Sequence, residues 1–255
     1  MKNVIIATTT FYSSLKEPRL DYCSKLINSA KNDGYRIFIL DGSPEPEIDQ
    51  YLKSLGAEVF KATSKGMGPS RRELFAEVRV SMPPDIILWT EPEKDLVNII
   101  PQLVEPIIND KADVSVMRRS QKSLDSYPKF QVGSEMQGNE CFKEATGIDA
   151  DIFSGPIAFR KKLLPYYINF DHTRYGNRVP DTYIQHFATI EVARDMYRIA
   201  SPEVDFIYPP EQKEEEENQT LEKFREMVEK RLSLQLRPLT KAYFAMGRVC
   251  GIRPS

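Results

Sequence analysis

Three carboxylates stand close together directly after a short apolar run. The run Asp85–Trp89 has the composition of a buried strand, and Glu91, Glu93 and Asp95 follow it. Mg²⁺ and Mn²⁺ prefer oxygen ligands, and one or two carboxylates together with substrate phosphates form a common site for them. The turn therefore predicts a divalent-cation site at Glu91 and Glu93. The alternative is an acidic first turn of the next helix, where carboxylates stabilise the helix dipole.

A second segment combines glycines with cationic side chains. Lys65–Arg72 contains two glycines, Gly66 and Gly68, and three cations, Lys65, Arg71 and Arg72, at the expected start of a helix. Glycine lets the backbone approach a ligand, and a helix amino terminus favours anions, so the segment is suited to a diphosphate. It has neither Walker nor GxGxxG spacing, and a Gly-Pro turn that opens an exposed basic helix is the alternative.

Two further polar turns follow apolar runs. Thr8, Thr9 and Thr10 follow the run Asn3–Ala7, and Asp41 opens a turn after Arg36–Leu40. In an open α/β sheet, ligands bind beyond the carboxyl ends of the strands. We therefore expect these turns and the two described above to surround one site.

Apolar runs and amphipathic segments alternate along the chain. Helices are predicted over residues 19–32, 47–55, 69–80, 97–108, 182–193 and 214–236, the fourth interrupted by prolines, and further strands over 57–60, 113–117, 151–159, 196–199 and 204–208. This alternation predicts an α/β protein with a Rossmann-like, mostly parallel sheet and helices on both faces. We expect one α/β domain over residues 1–210 and a helical extension over 211–255 packed on it.

Composition and charge exclude several classes of protein. The chain has 35 Lys and Arg against 37 Asp and Glu, a net charge of −2, without segregation between its halves, which argues against nucleic acid as a partner. Three distant cysteines suit a reducing, cytoplasmic environment. The first apolar run is too short for a signal peptide or a transmembrane segment. Homo-oligomerisation stays open.

Histidine and arginine offer few alternative sites. Only two histidines are present, which excludes a zinc cluster, and no GxSxG nucleophile elbow occurs. His186 is expected to be structural and His172 solvent-exposed. Arg118 and Arg119 follow an apolar strand, where they either contact an anionic group or cap the strand at the surface.

The order of the motifs resembles that of the GT-A nucleotide-diphospho-sugar transferases, especially family-2-like and mannosylglycerate-synthase-like members, over about residues 3–208. Small polar residues end the first strand in that family and an acid ends the second, as Thr8–Thr10 and Asp41 do. A basic, glycine-containing helix start precedes the metal strand, as at Lys65–Arg72. A DxD motif closes that strand, and Glu91-Pro92-Glu93 is similar, with Glu in place of both Asp.

Later motifs extend the resemblance. Phe153–Arg160, with Gly155, is similar to a glycine-containing strand of the family, and Asp181 matches an Asp that opens a helix facing the acceptor. A distal His that completes the metal shell in some relatives has no counterpart after Ile199.

The resemblance implies transfer of a sugar from a UDP- or GDP-linked donor to a hydroxyl acceptor, assisted by Mn²⁺ or Mg²⁺ at Glu91 and Glu93. Asp181 would then activate or orient the acceptor hydroxyl, whereas its structural alternative is to cap the following helix. The residues implied in nucleotide-sugar binding are Thr8, Thr9, Thr10, Asp41, Lys65, Gly66, Gly68, Arg71, Arg72, Thr90 and Gly155.

Two other functions stay open. A nucleotidyltransferase that makes nucleotide sugars would share the sheet, but it is expected to have a glycine-rich loop after the first strand, and Thr8–Ser14 contains no glycine. A GT-A domain that binds nucleotide without turnover would tolerate the altered metal motif.

Overall fold

A mixed seven-stranded sheet forms the centre of the protein. The computed structural model describes residues 3–81, 85–93 and 95–247. The strands are β1 Val4–Thr10, β2 Arg36–Asp41, β3 Glu58–Lys61, β4 Ile86–Trp89, β5 Val114–Val116, β6 Arg118–Arg119, β7 Ile157–Arg160, β8 Ile199–Ala200 and β9 Glu203–Val204. The sheet order is β3-β2-β1-β4-β7-β5-β8, and β6 pairs with β9 in a separate ribbon. Only β7 runs antiparallel to its neighbours among these described strands, so the predicted mostly parallel sheet is confirmed.

Helices cover both faces of this sheet. The α-helices are α1 Pro18–Asn32, α2 Pro46–Leu55, α3 Met67–Val80, α4 Ile100–Ile108, α5 Gln121–Ser126, α6 Lys129–Thr146, α7 Leu164–Ile168, α8 Ile184–Arg194, α9 Pro210–Glu217, α10 Leu221–Lys230 and α11 Arg237–Met246. Short 3₁₀ helices span Leu96–Ile99, Lys161–Leu163 and His172–Arg178, and a π-helical segment, Arg231–Leu236, joins α10 to α11. Within the described residues, no helix is both long enough and apolar enough to cross a membrane.

Two apolar cores sandwich the sheet. Along β1, Ile5 and Ala7 join the core beneath α3, α6, α8 and α11, whereas Val4 and Ile6 join the core beneath α1, α2 and α4. Successive side chains of a strand point to opposite faces, so a strand buried on both sides must be apolar throughout. This packing explains the unbroken apolar runs of β1, β2 and β4.

The strand register brings the polar turns to one edge. Thr10 pairs with Asp41 across β1 and β2, and Ala7 pairs with Trp89 across β1 and β4. The backbone amide of Thr90 also donates to the carbonyl of Ala7 at 3.2 Å. Because the three strands are parallel, their carboxyl ends meet at the same edge, as predicted.

Several predicted strands are shorter in the structure. The strand predicted over residues 151–159 is Ile157–Arg160, and Asp151 instead accepts hydrogen bonds from Arg119 and Asn139 in a preceding loop. Gly155 in that loop has a φ of 101°, which is incompatible with a strand. The strands predicted over 196–199 and 204–208 shrink to two residues each, Ile199–Ala200 and Glu203–Val204.

Three helix boundaries also differ from prediction. The long charged helix predicted over residues 214–236 breaks before Thr220, whose side chain accepts from the amide of Lys223 and caps α10. α8 begins at Ile184 because Tyr183 adopts a left-handed φ of 48°. Pro101 lies in the first turn of α4, and the helix continues through Pro106 to Ile108 rather than being interrupted.

The C-terminal helices return to the core of the sheet. Tyr243 of α11 packs edge-on against Phe142 of α6, with ring centroids 5.0 Å apart, and both rings are fully buried. α11 therefore shares the core beneath the sheet with α6, and residues 248–255 lie outside the described part. The domain boundary near residue 210 remains a prediction.

Candidate functional site

Two cavities open along the carboxyl edge of the sheet. The first cavity, of about 740 Å³, lies between the ends of β1 and β2 and the start of α3. The second cavity, of about 750 Å³, lies beyond β4 and is walled by α6, the start of α8 and the C-terminal helices. Met67, Glu91, Glu93 and Gln212 line both. The two cavities therefore meet at the end of β4.

The first cavity collects most of the residues predicted from the polar turns. Its lining includes Thr9, Thr10, Lys65, Gly66, Arg71, Glu91 and Glu93. Among the described residues, Thr8, Asp41, Gly68 and Arg72 do not belong to this lining. The structure thus brings the four predicted polar turns together at one cavity. Some of their individual residues, however, do not line it.

Asp41 organises the strand ends from below the surface. Its side chain is wholly buried, and Oδ1 accepts hydrogen bonds from the hydroxyls of Thr10 at 2.8 Å and Ser43 at 2.6 Å. The Ser43 hydroxyl oxygen in turn accepts from the amide of Tyr12 at 2.9 Å. This network orients Thr10, which does line the cavity, so the structure gives Asp41 an indirect place beside it. Its predicted part in nucleotide-sugar binding stays a prediction.

One carboxylate holds the loop that leads into α3. The amides of Thr63 and Ser64 each donate to Glu73 at 2.9 Å, and the Thr63 hydroxyl donates at 2.7 Å. Partial burial raises the pKa of Glu73, but the hydrogen bonds from Ser64 and Thr63 outweigh it and lower the pKa to about 2. Thr63 and Ser64 line the first cavity, so Glu73 shapes its wall.

We expect Glu73→Gln to lower the free energy of unfolding by about 1–2 kcal/mol at pH 7, because hydrogen bonds to a charged acceptor are lost. A lowered folded-state pKa contributes stability above the unfolded value near 4.5, and this contribution is lost as the pH falls towards 2. Urea denaturation of both proteins from pH 7 to pH 3 should therefore show that the difference between their free energies of unfolding becomes smaller as the pH falls. Glu77→Gln on the same helix serves as the control, and a difference that stays constant with pH would contradict the assignment.

The two glycines of the predicted diphosphate segment have different roles. Gly66 precedes α3 with a φ of 98°, a conformation that favours glycine, and it lines the first cavity. At Gly68 a Cβ atom would lie 2.5 Å from the backbone oxygen of Asp181 and 2.6 Å from its carboxylate. Gly68 therefore admits the Asp181 segment against α3, and its predicted part in nucleotide-sugar binding stays a prediction.

A Gly68→Ala variant should push the Asp181 segment away from α3. Overpacking of this kind costs typically about 1–3 kcal/mol, and the free energy of unfolding in urea would measure it. Gly133→Ala is a matched control, since Gly133 lies exposed in α6 with no atom near an added Cβ, and it should stabilise by about 0.5–1 kcal/mol. Equal stability of the Gly68→Ala variant and the wild type would refute the contact.

Arg71 is buried at the junction of the cavities. Only 2% of it is exposed, and its guanidinium lies 4.4 Å from the centre of the Trp89 ring. Nη1 donates to Gln185 at 2.7 Å, and Nη2 lies 3.6 Å from the carboxylate of Glu91. Burial lowers the pKa of Arg71 to about 10, whereas Glu91 and Tyr183 oppose that shift. Arg71 thus connects β4 to α8 in addition to lining the first cavity.

Glu91 and Glu93 differ in their surroundings. Glu91 has two thirds of its side chain exposed, at 66%, whereas Glu93 is half-buried at the junction. Burial, together with the charges of Glu91 and Asp95, raises the pKa of Glu93 to about 8. A nearby cation would relieve this unfavourable charge, so the pair fits a divalent ion. No group of three His, Cys, Asp or Glu side chains suited to a metal occurs in the described residues, so substrate phosphates would have to complete the coordination.

Besides Glu91 and Glu93, the second cavity contains two predicted residues and many that sequence reasoning missed. Thr90 and Gly155, predicted as nucleotide-sugar ligands, line this cavity rather than the first. The missed residues include Tyr127, Glu135, Gln185, Gln212, Gln219, Met227, Arg231 and Leu234. Met227, Arg231 and Leu234 are spaced by four and three residues, the spacing of one helical face, which is a signal that could have identified them.

Asp181 is held in an ion pair outside both cavities. Arg72 donates to its two carboxylate oxygens at 2.5 and 2.7 Å, and each side chain is about one quarter exposed, at 23% and 26%. The hydrogen bonds from Arg72 lower the pKa of Asp181 against a smaller effect of burial. Asp181 lies three residues before α8 and does not cap it. Neither Asp181 nor Arg72 belongs to the described lining of either cavity, and the roles predicted for them as base and phosphate ligand stay predictions.

The remaining polar candidates have structural partners. Arg119 is buried and paired with Asp151 at 2.7 Å and with Glu135 at 2.6 Å, so it is neither a surface cap nor an anion ligand. Arg118 pairs with Asp149 at 2.9 Å.

The two histidines are placed differently from each other. His186 lies in the core with Nδ1 2.8 Å from the Tyr243 hydroxyl, and burial, then the charge of Arg71, lowers its pKa to about 3. The ring is therefore neutral, and its edge also reaches the second cavity. His172 contacts the Val179 carbonyl through Nδ1 at 3.2 Å and is half-buried rather than exposed.

Comparison with solved structures identifies the fold. Glucosyl-3-phosphoglycerate synthase from Mycobacterium tuberculosis, in complex with Mn²⁺, UDP and phosphoglyceric acid, superposes with a TM-score of 0.55 at 14% identity, covering 99% of this chain and 80% of that chain. The fold is that of the GT-A glycosyltransferases. The predicted GT-A sheet is therefore confirmed.

Further complexes of the same mycobacterial enzyme give a similar match. The complex with Mn²⁺, UDP-glucose and phosphoglyceric acid has a TM-score of 0.55 at 13% identity, covering 92% of this chain and 79% of that chain. The complex with Mg²⁺ and UDP has a TM-score of 0.51 at 14% identity, covering 99% and 80%. No protein-family model matches the sequence, and no curated protein matches it significantly. At this level of identity the likeness concerns the fold.

Proposed function

We propose that this protein is a glycosyltransferase that moves a sugar from a nucleoside-diphosphate sugar to a hydroxyl acceptor. The observation that carries the proposal is the meeting of the two cavities at Glu91 and Glu93, at the carboxyl edge of a GT-A sheet. Ligands of open α/β sheets bind at this edge. A donor in one cavity and an acceptor in the other would place their reacting atoms at the shared wall.

The first cavity is the proposed donor site. Thr9 and Thr10 lie at the end of β1, where they would contact the nucleoside, and the first turn of α3 lines the opposite wall beside Lys65. A helix amino terminus together with a lysine suits a diphosphate. The mycobacterial neighbours were solved with UDP or UDP-glucose, so a UDP-linked sugar is the first donor to test, with GDP-linked sugars second.

Glu91 and Glu93 are the proposed ligands of Mn²⁺ or Mg²⁺. When bound there, the cation would neutralise charge on the departing diphosphate. The protein's own contribution is to hold two carboxylates at the junction, one of them half-buried and lacking a positive partner at hydrogen-bond distance among the described residues. Arg71, fixed by Trp89 and Gln185, keeps Glu91 near this position.

In the proposed reaction, the acceptor oxygen forms a bond to the anomeric carbon while the bond from that carbon to the diphosphate oxygen breaks. The electron pair of the broken bond leaves with the nucleoside diphosphate, and the acceptor hydroxyl loses its proton. Gln185 and Thr182 line the second cavity and are placed to orient that hydroxyl. Asp181 is one candidate for accepting the proton. The alternative is that its ion pair with Arg72 positions the Thr182–Gln185 segment.

A thermal-shift experiment tests donor binding. With UDP in large excess and Mn²⁺ present, we expect the melting temperature to rise by about 5–10 °C, because a ligand at 100 times its dissociation constant stabilises by about 2.7 kcal/mol. GDP and CDP serve as comparisons, and a chelator should remove most of the rise. The absence of any shift with all three nucleotides would refute the donor site, and binding without release of UDP from UDP-sugars would identify a non-catalytic domain.

A further inference from the structure

The second cavity carries no surplus of positive charge. Its lining contains four acidic side chains against two basic ones, Lys230 and Arg231. Arg231 donates to Glu135 at 2.8 Å, so its charge is already matched. Glu216, whose carboxylate accepts from the Tyr208 hydroxyl at 2.7 Å, lines the same cavity as the exposed Lys230. Apart from Lys230, an anionic group entering this cavity would meet matched or negative charge.

The arginines nearest to the cavity are also occupied. Arg119 is buried between Asp151 and Glu135, and it contacts both carboxylates at 2.6–2.9 Å. Arg71 is committed to Gln185 and lies close to Glu91. A phosphate or carboxylate is usually recognised by a free arginine fork or by lysine ammonium groups. The described residues around the cavity provide no such arginine, and Lys230 is the single lysine of the lining.

The neutral polar groups of the cavity are chiefly amides and hydroxyls. Five glutamines line it: Gln131, Gln185, Gln212, Gln219 and Gln235. An amide side chain both donates and accepts hydrogen bonds, so a set of amides matches hydroxyl groups, which do the same. They come from α6, α8, α9, the turn that follows α9 and the π-helical segment, and so surround the cavity on several sides.

Aromatic side chains supply the apolar part of the wall. The rings are those of Trp89, Tyr127, Phe153, Tyr183 and Tyr208. Tyr127 and Tyr208 pack together with ring centroids 4.5 Å apart, next to Glu93. A cavity of about 750 Å³ with apolar walls and a few convergent polar groups has the size and chemistry of a small-molecule site.

We propose that the second cavity binds a neutral, polyhydroxylated acceptor, a sugar or polyol residue without phosphate or carboxylate. The inference rests on the proposed glycosyl transfer and specifies its acceptor, whose hydroxyl oxygen replaces the diphosphate oxygen on the anomeric carbon. The mycobacterial neighbours were solved with phosphoglyceric acid or glycerol 3-phosphate, which are anions. The acceptor chemistry of this chain therefore differs from that of its structural neighbours.

The single tryptophan provides a direct readout. Trp89 is the only tryptophan of the chain and lines the second cavity. The protein, loaded with UDP and Mn²⁺, is titrated with matched pairs of probes: glucose and glucose 6-phosphate, mannose and mannose 6-phosphate, glycerol and glycerol 3-phosphate. We expect at least one neutral sugar to change the Trp89 fluorescence and to bind at least about tenfold more tightly than its phosphate, because like charges oppose entry.

A substitution that adds a cation tests the charge argument. In Gln219→Lys the preference for the neutral partner should fall by at least about threefold, since a charge-assisted contact to phosphate becomes available. Gln102→Lys, the same change on the exposed face of α4, should leave the preference unchanged. An unchanged preference in Gln219→Lys, or the same decrease in Gln102→Lys, would show that cavity charge does not select the acceptor.

The outcome of the titration separates this inference from the proposed function. Tighter binding of any phosphorylated probe than of its neutral partner overturns the inference, as does a lack of response to every neutral probe. Both results leave the proposed transfer intact if UDP still raises the melting temperature and UDP-sugar is still consumed. Failure of UDP binding itself refutes the proposed function instead.

Discussion

A Glu93→Gln variant is expected to lose at least about a hundredfold in sugar transfer while remaining folded. The substitution removes one of two carboxylates proposed to hold the cation that neutralises the leaving diphosphate, and such electrostatic stabilisation typically accounts for factors of about 10²–10³. Initial rates of UDP release with varied Mn²⁺ would measure the loss. The metal concentration that gives half-maximal rate should also rise.

The Glu93→Gln variant should lose activity without losing stability. Burial and the neighbouring carboxylates oppose the charged form of Glu93, so a neutral glutamine should leave the unfolding free energy in chelator at pH 7 unchanged or higher. Asp95→Asn changes the third, exposed carboxylate of the turn and is the matched control, with transfer close to wild type. Full transfer by Glu93→Gln in excess chelator would remove the cation from the proposed mechanism.

The ends of the strands could be predicted because a buried strand has a continuous apolar sequence. β1, β2 and β4 are covered by helices on both faces, so each is a continuous apolar run that stops at the first polar residue of its turn. The turn after β4 begins at Thr90, and Glu91 and Glu93 lie at the junction of the cavities, where the pattern placed them. Periodicity alone therefore located the edge of the sheet that carries the site.

The direction of individual side chains could not be predicted in the same way. Arg71 and Arg72 are neighbours on α3, yet one is buried against Trp89 and the other pairs with Asp181 near the surface. Gln185 and Asp181, their partners, are more than 100 residues away in sequence. The sequence predicts both as nucleotide-sugar ligands, whereas tertiary partners at this distance decide that Arg71 lines the first cavity and Arg72 does not.

The second cavity was missed because its outer wall looks solvated in sequence. α9 and α10 are dominated by Glu, Lys and Arg, and α10 has no fully buried residue. Their contribution to the cavity comes from about one side chain per turn, such as Gln212 of α9 and Met227 of α10. A helix that covers a cavity buries little area, so its apolar stripe is weaker than that of a core helix.

The Arg72–Asp181 ion pair offers a test of how the two cavities are held together. α3 supplies Met67 and Arg71 to the first cavity, and the segment after Asp181 supplies Thr182, Tyr183 and Gln185 to the second. The ion pair and the close approach at Gly68 join these two segments. Displacing reacting groups by about 1 Å can cost roughly a hundredfold in rate. We therefore expect Asp181→Asn and Arg72→Gln each to lower kcat for transfer by about 10- to 100-fold.

A double-mutant cycle distinguishes positioning from proton transfer. If the ion pair positions the two segments, the Arg72→Gln, Asp181→Asn and double variants should share one level of activity, because either single change already breaks the pair. The unfolding free energies should then show a coupling of about 1 kcal/mol, as for a partly exposed pair. Arg79→Gln, at an exposed position of the same helix, controls for loss of charge.

If instead Asp181 is the general base, Arg72→Gln should keep most of its transfer activity, whereas Asp181→Asn should lose at least about a hundredfold. The double variant should then be no more active than Asp181→Asn. The relation between the two single variants therefore decides which role Asp181 has.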